Sequence, residues 1–349
     1  MNGAIVGFGV IASTGHGPAY ARMKDHAIVA VADPVEARRR AAEELIPGVR
    51  TFKSHEELLE RSGELGLDFV DIATPPCYHL AIARAAAERG LHVLCEKPIT
   101  TTLEQARTML LTARDRRVSI FPCHNYKHAP VVKEMRAAIQ SGRIGEVRSA
   151  TLTTFRTTNA KGTPDWIVDW RRMPEYAGGG IVMDHGSHTC YLTFMFFGGR
   201  PPRSVAARTY QLDPGFETED NVCAALTFDG GFAQMHLSWT AGVRKVIYAL
   251  QGRRGAVVVD EDDAQLFSDG AAERKNIVSK FDDASHTEWF TSMFDQFVGD
   301  VEAGRHVTDE LKESYWCIAT IDAIYRSAAE SGREVAIDSD LSFLEKVGR

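Results

Sequence analysis

The chain has 349 residues, 44% of them hydrophobic and 25% charged, with a formal net charge of −7 at pH 7. That length favours two domains over a single core, and the composition is that of a soluble globular protein. The absence of a basic field argues against nucleic acid as a partner, and no run of eighteen apolar residues is present to span a membrane.

The N-terminus, Met1 to Gly7, has no basic region and is soon interrupted by glycine, so it reads as a buried strand rather than a signal peptide. Ala4 to Phe8 is the strand. Gly7-Phe8-Gly9-Val10-Ile11-Ala12 follows as G-x-G-x-x-A, then a helix over Pro18 to Lys24 and a second apolar strand, Ala27 to Ala32. Asp33 closes that strand, twenty-one positions after Ala12. This is the layout of a dinucleotide fold. Gly7 permits the tight turn, Gly9 lets a pyrophosphate approach the backbone, and Ala12 lets the helix pack closely. The helix N-terminus faces the phosphates. Asp33 is placed to bind the adenosine ribose and to repel a 2′-phosphate, so NAD is expected in preference to NADP. Arg38, Arg39 and Arg40 read as a solvated helix face, with a stray phosphate contact as the alternative.

Helices and strands go on alternating. A helix over Ser54 to Arg61 precedes a strand at Phe69 to Ala73, broken by Thr74-Pro75-Pro76. A helix over Cys77 to Arg89 leads to a strand at His92 to Cys95, which ends in Glu96-Lys97-Pro98. Thr101 or Thr102 caps a helix to Asp115, and Val118 to Cys123 is a further strand. The pattern predicts a doubly wound parallel sheet with ligands at the strand C-termini. After residue 123 it changes. A helix over His128 to Gln140 is followed by alternating segments at Val147–Arg156, Ser204–Tyr210, Asn221–Phe228, Phe232–Trp239, Val246–Gln251 and Ala256–Val259. Alternation implies a sheet with unlike faces, here an open, mostly antiparallel one with helices on one side. The expected domains are thus 1–123 and 124–349. Asp260 to Asp263 reads as a solvated turn. Helices are expected over Ser285 to Ala303 and Asp309 to Ala329, with Trp289, Phe290, Met293, Phe294 and Phe297 as a core stripe.

The chemistry concentrates at Gly178-Gly179-Gly180-Ile181-Val182-Met183-Asp184-His185-Gly186-Ser187-His188. On a helix, Asp184 and His188 share a face, and a carboxylate beside an imidazole fixes its tautomer and raises its basicity. His188 is therefore the expected general base, oriented by Asp184. Lys97, at a strand end of the first domain, is placed to support the reacting oxygen. Asn125, Tyr126 and Lys127 are further cleft candidates. Arg156, Lys161, Arg171 and Arg172 either favour an acidic substrate or are scattered solvated charges. A metal held by His185 and His188, joined by His124 and His128, is set aside, since no carboxylate or cysteine set completes it by spacing. Cys77, Cys95, Cys123, Cys190, Cys223 and Cys317 form no Cys-x-x-Cys, so a reducing, cytoplasmic setting is expected.

The G-x-G-x-x-A loop, Thr74-Pro75-Pro76 with His79, Glu96-Lys97-Pro98, Trp170-Arg171, and Gly178-Gly179-Gly180 with Asp184 and His188 occur in this order. Together with Ser141-Gly142-Arg143-Ile144-Gly145, they make the chain resemble the glucose–fructose oxidoreductase / inositol dehydrogenase (Gfo/Idh/MocA) family over its whole length. The resemblance implies an N-terminal Rossmann domain and a C-terminal α/β domain with a large open sheet. It implies oxidation or reduction of a sugar, amino sugar or cyclitol hydroxyl with NAD(P), in dimers or tetramers packed through that sheet. By position, Gly7, Phe8, Gly9, Val10, Ile11, Asp33, Thr74, Pro75, His79, Glu96 and Lys97 would hold the cofactor. Asn125, Trp170, Arg171, Asp184, His185 and His188 would face substrate, with Lys97, Asp184 and His188 catalytic. Two other activities occur among such relatives: glycoside cleavage through transient oxidation by NAD, and NAD(P)-sensing regulation of transcription without catalysis.

Overall fold

The computed structural model describes residues 1–279, 281 and 286–345. The expected helix start at Ser285 and the last residues of the expected second domain, 346–349, lie outside the described residues. The first sheet contains β1 (Asn2–Val6), β2 (Ala27–Ala32), β3 (Arg50–Phe52), β4 (Phe69–Ile72), β5 (His92–Cys95) and β6 (Ile120–Pro122), in the order β3-β2-β1-β4-β5-β6. Every neighbouring pair is parallel. Strands of this kind are covered on both faces, so their sequences run apolar without alternating. All four residues of β4 are buried. Strand order reverses between β1 and β4, and a crevice opens at their C-terminal ends.

The second sheet has nine strands: β7 (Val147–Phe155), β8 (Ser204–Tyr210), β9 (Asn221–Phe228), β10 (Gly231–Ser238), β11 (Lys245–Gly252), β12 (Gly255–Asp260), β13 (Asp263–Ser268), β14 (Ala271–Asn276) and β15 (Val335–Ala336). Their order is β14-β13-β12-β11-β7-β10-β9-β8-β15. All pairs are antiparallel except β7 with β10. Burial alternates strictly along β9, as a sheet covered on one face requires. The covering helices are Ile181–Phe196 and Asp309–Ala329. The acidic run at 260–263 forms a tight turn in which Asp260 pairs with Asp263 and Glu261 has φ 55°. Four strands were not expected from the pattern: β3, β13, β14 and β15. β14 is exposed along all six residues, so it carries no hydrophobic signal. Among the described residues no helix is long and apolar enough to cross a membrane.

Two local findings shape the site. The expected helix over Pro18 to Lys24 instead runs as a π-turn at Ala12–His16 followed by a short helix, Gly17–Tyr20. The wide turn directs His16 into the protein, where it is 2% exposed. The second concerns the late helix Thr287–Glu302. Its residues Phe290, Met293, Phe294 and Phe297 recur at i, i+3, i+4 and i+7 and form one stripe. That stripe packs on the first sheet, in one core with Ile5, Phe8, Phe69 and Phe121. The Phe69 ring lies 5.4 Å from Phe294 and 5.7 Å from Phe297. The six parallel strands therefore receive part of their cover from a segment about 160 residues beyond their end.

Phe294→Ala should remove a fully buried ring from this core and cost about 3–5 kcal/mol. Urea unfolding of the whole chain measures it. A loss below about 1 kcal/mol would show that the helix is not integral to the first sheet's core.

Candidate active site

A cleft of about 720 Å³ lies between the two sheets. At one end it is lined by Gly7, Gly9, Val10, Ile11, Asp33, Thr74 and Pro75, and at the other by Lys97, Asn125, Trp170, Arg171, Asp184, His185 and His188. The glycine loop fits a dinucleotide. Gly7 has φ +89°, and a Cβ there would lie 2.8 Å from the Ala73 carbonyl oxygen; a Cβ at Gly9 would meet no protein atom within 4 Å. The space beside Gly9 is thus free for a pyrophosphate. Asp33 is buried. Its Oδ2 accepts from Phe8 N (2.7 Å) and its Oδ1 from Val35 N (2.8 Å), which fixes the orientation of the carboxylate. Thr74 Oγ1 and Asn125 Oδ1 are buried cleft-side atoms with no hydrogen-bond partner in the protein, and a bound ligand would satisfy both.

Two expected contacts and one expected solvated residue are placed differently by the structure. Phe8 and His79 do not line the cleft. The Phe8 side chain is core, and its N–H is committed to Asp33. His79 is fully buried between two backbone carbonyls, Pro98 O (3.0 Å) and Thr74 O (2.8 Å); it ties together the two loops that flank the cleft. Arg38 is no solvated residue. It lines the cleft, with its guanidinium 3.6 Å from Asp33.

Lys97, at the end of β5, crosses to the second domain's helix. Its Nζ donates to Asp184 Oδ1 at 2.7 Å. Burial alone would raise the Asp184 carboxyl, but Lys97, His185 and Arg171 outweigh it and hold the group well below the usual range. Asp184 does not orient His188, contrary to the spacing argument. The four-residue offset lets the two share a face, yet the carboxylate turns to the stronger charge. His188 is held instead by Tyr191, three residues on, whose hydroxyl lies 2.6 Å from Nδ1. The same hydroxyl oxygen accepts from Tyr126 N (3.2 Å). Burial, then Lys97, pushes His188 well below the ordinary imidazole value, so it is neutral near pH 7. When Nδ1–H donates to Tyr191, Nε2 keeps a free lone pair. His185 has another tie. Trp239 Nε1 donates to its Nδ1 at 3.3 Å. Asp184 Oδ2 lies 3.2 Å from that same Nδ1.

The glycine triplet serves a different end from the cofactor. A Cβ on Gly179 would fall 2.0 Å from the Tyr325 hydroxyl, and one on Gly180 would fall 1.9 Å from Glu219 O. The close approach brings the Glu219 carboxylate onto the start of the helix Ile181–Phe196. There it accepts from Gly180 N (3.0 Å), Val182 N (3.0 Å) and the Tyr325 hydroxyl (3.0 Å). Glu219 thus satisfies N–H groups that a helix start leaves open and fixes the helix that carries Asp184 and His188.

Beneath Glu96 lies a buried charged cluster that the sequence did not reveal. His16 Nδ1 is 2.9 Å from Asp71 Oδ2 and Nε2 is 3.2 Å from Glu96 Oε1. Burial alone would depress the imidazole, but the two carboxylates outweigh it and raise it to about 10. Tyr20 donates to the same Asp71 oxygen (3.0 Å), and His16 stacks on Phe290 with ring centres 4.1 Å apart. Among the described residues, His16, Glu96 and Cys123 bring three metal-type donors close together; there the imidazole is already the cation.

The N-terminal 1–124 matches the family described as oxidoreductase family, NAD-binding Rossmann fold, and 132–258 matches the GFO/IDH/MocA C-terminal domain. A D-xylose 1-dehydrogenase (NADP(+)) from Haloferax volcanii is 30% identical, over 95% of this chain and 99% of its own. The chain belongs to the Gfo/Idh/MocA family of NAD(P)-dependent oxidoreductases. A D-glucoside 3-dehydrogenase from Escherichia coli is 25% identical, over 96% of this chain and 97% of its own. Among solved structures, a levoglucosan dehydrogenase in complex with NADH and levoglucosan superposes with a TM-score of 0.85 at 21% identity, covering 97% of this chain and 99% of that one. A myo-inositol dehydrogenase described as putative, from Sinorhizobium meliloti, gives 0.80 at 25%, covering 97% and 99%.

His16 links the site to pH. Its folded value lies above the ordinary 6.5, so its stabilisation is complete below pH 6.5 and is lost as pH climbs towards about 10. Urea midpoints should fall over that window in the parent and fall less in His16→Gln. His16→Leu, which leaves two carboxylates buried without their cation, should cost about 3–5 kcal/mol at neutral pH. Equal slopes in parent and His16→Gln would remove the charge from the account.

Proposed function

We propose that the chain is an NAD-dependent dehydrogenase acting on a secondary hydroxyl of a sugar, amino sugar or cyclitol. The observation that carries the reading is the convergence of Lys97 from the first domain with Asp184 and His188 from the second, in a cleft whose other end fits a dinucleotide. NAD(P), where bound, takes the hydride from the carbinol carbon. His188 Nε2 takes the hydroxyl proton, and the resulting imidazolium keeps its Nδ1–H on Tyr191. Lys97, anchored by Asp184, donates to the same oxygen and stabilises its developing charge. Gly7, Gly9, Val10 and Ile11 would hold the pyrophosphate, Asp33 the adenosine ribose, and Thr74, Pro75 and Glu96 the nicotinamide end.

Cleft-lining Trp166 and Trp170 supply apolar faces for a sugar ring. Arg171 stacks on Trp170 at 4.3 Å and stands 3.9 Å from Asp184. The other cations offer less to an acidic substrate. Lys161 pairs with Asp169, Arg172 is buried against Asp213 and Asp220, and Arg156 donates to Phe155 O. A neutral polyol suits these pairings. The outer face of the nine-stranded sheet, where Phe232 and Phe267 are exposed, supports assembly as a dimer or tetramer through that face. Six free cysteines support a reducing, cytoplasmic setting.

Incubation with NAD and a panel of sugars and cyclitols should produce NADH absorbance. Lys97→Met and His188→Ala should each lower kcat/KM by about 10²–10⁴-fold; unchanged rates in both would sink the assignment. Because burial depresses His188, the parent's kcat/KM should hold to below pH 6.5 before its acid limb begins. Tyr191→Phe should lower kcat about tenfold or more through loss of the Nδ1 partner.

A further inference from the structure

The adenosine end of the cleft holds an ion pair that joins the two domains. Arg38 lies on the helix Glu36–Leu45 of the first domain, three residues into it. Asp165 lies on the segment that follows β7 in the second. Arg38 Nη2 and Nε donate to Asp165 Oδ1 at 2.8 and 3.1 Å, and Nη2 also donates to Thr163 Oγ1. On its other side, Nη1 stands 3.6 Å from Asp33 Oδ2. The Arg38 side chain is only 13% exposed. Arg38, Asp33 and Thr163 all line the cleft.

A guanidinium has five N–H donors in a fixed plane. Here the Nε/Nη2 edge, the fork that would grip a phosphate in two places, is taken by a carboxylate from the far domain. The remaining side faces the carboxylate expected to bind the ribose hydroxyls. A ribose with a free 2′-hydroxyl needs only Asp33. A 2′-phosphate arriving at the same place would meet two carboxylates and a cation whose fork is already occupied.

We propose that Asp165, acting through Arg38, is a specificity-determining residue that biases the adenosine site against 2′-phosphorylated dinucleotide. Asp33 supplies the familiar part of that selection, and Asp165 supplies a second part from the other domain. The discrimination is then complete only with the strap of residues 157–165 docked on the first domain. Arg38 is the latent phosphate receptor, and Asp165 keeps it engaged. The inference rests on the dinucleotide reading of the cleft and not on the identity of the oxidised substrate.

The test is the ratio of dissociation constants for NADPH and NADH, read from the fluorescence of each reduced dinucleotide on the full chain. No turnover is needed, so a chain that binds both yet oxidises no sugar would end the dehydrogenase proposal and leave this one standing. Asp165→Ala should shift the ratio towards NADPH by about tenfold or more, the scale of one charge-assisted hydrogen bond gained. Asp165→Asn, which keeps the shape and removes the charge, should shift it in the same direction by less. In the double variant Arg38→Gln/Asp165→Ala the gain should vanish. A ratio within about twofold of the parent in Asp165→Ala overturns the proposal. So does a gain that survives in the double variant, since Asp165 would then act by its own charge rather than through Arg38.

Discussion

The ion pair between Lys97 and Asp184 is the contact on which the rest of the site depends. Each charge alone would be costly where it sits, partly buried at the meeting of two sheets. Together they fix the end of β5 against the helix Ile181–Phe196 at 2.7 Å. A cleft between domains has geometry only when something holds the two walls in register, and here the same groups that hold it also line the cleft. Asp184 remains ionised and Lys97 remains aimed. His188 stays neutral beside them because it is buried and near a cation. Charged and neutral states are separated by environment rather than by residue type.

Around that pair, the polar supports are themselves buried and paired. Glu219 caps the helix from below, Tyr191 holds the imidazole, and His16 braces Glu96 from behind. None of the three lies on the motif residues that announce the site. They act as the outer layer that fixes orientation, and such layers commonly matter almost as much as the groups they hold.

The fold was legible where pattern and burial coincide. Apolar runs marked β1, β2, β4 and β5, and strict alternation marked β8 and β9 at their observed limits. It was illegible at β14, which buries nothing, and at β15, which is two residues long. For the site, spacing along a helix placed Asp184 and His188 on one face but not their partners. Asp184 chose the lysine because an opposite full charge at contact distance outweighs a neutral imidazole. Tyr191, at i+3 from His188, was within reach of a spacing argument. Arg38 was not: its partner Asp165 stands 127 residues away in sequence, and nothing local tells a guanidinium on a helix whether a far domain will dock upon it. At the glycine triplet, the groups that approach closely are Glu219 and Tyr325.

The late helix Thr287–Glu302 bears on how the chain acquires its form. The first sheet is synthesised well before the late helix, yet Phe290, Phe294 and Phe297 seal one of its faces. Until those residues leave the ribosome, Phe69 and Phe121 lack that part of their cover. The first domain therefore completes its core only after the late helix is made, whereas N-terminal domains generally fold as units in order of synthesis. Its completion waits on contacts separated by more than 160 residues, a high contact order that slows the search. The product is a dinucleotide fold and a substrate fold that reach their final state together.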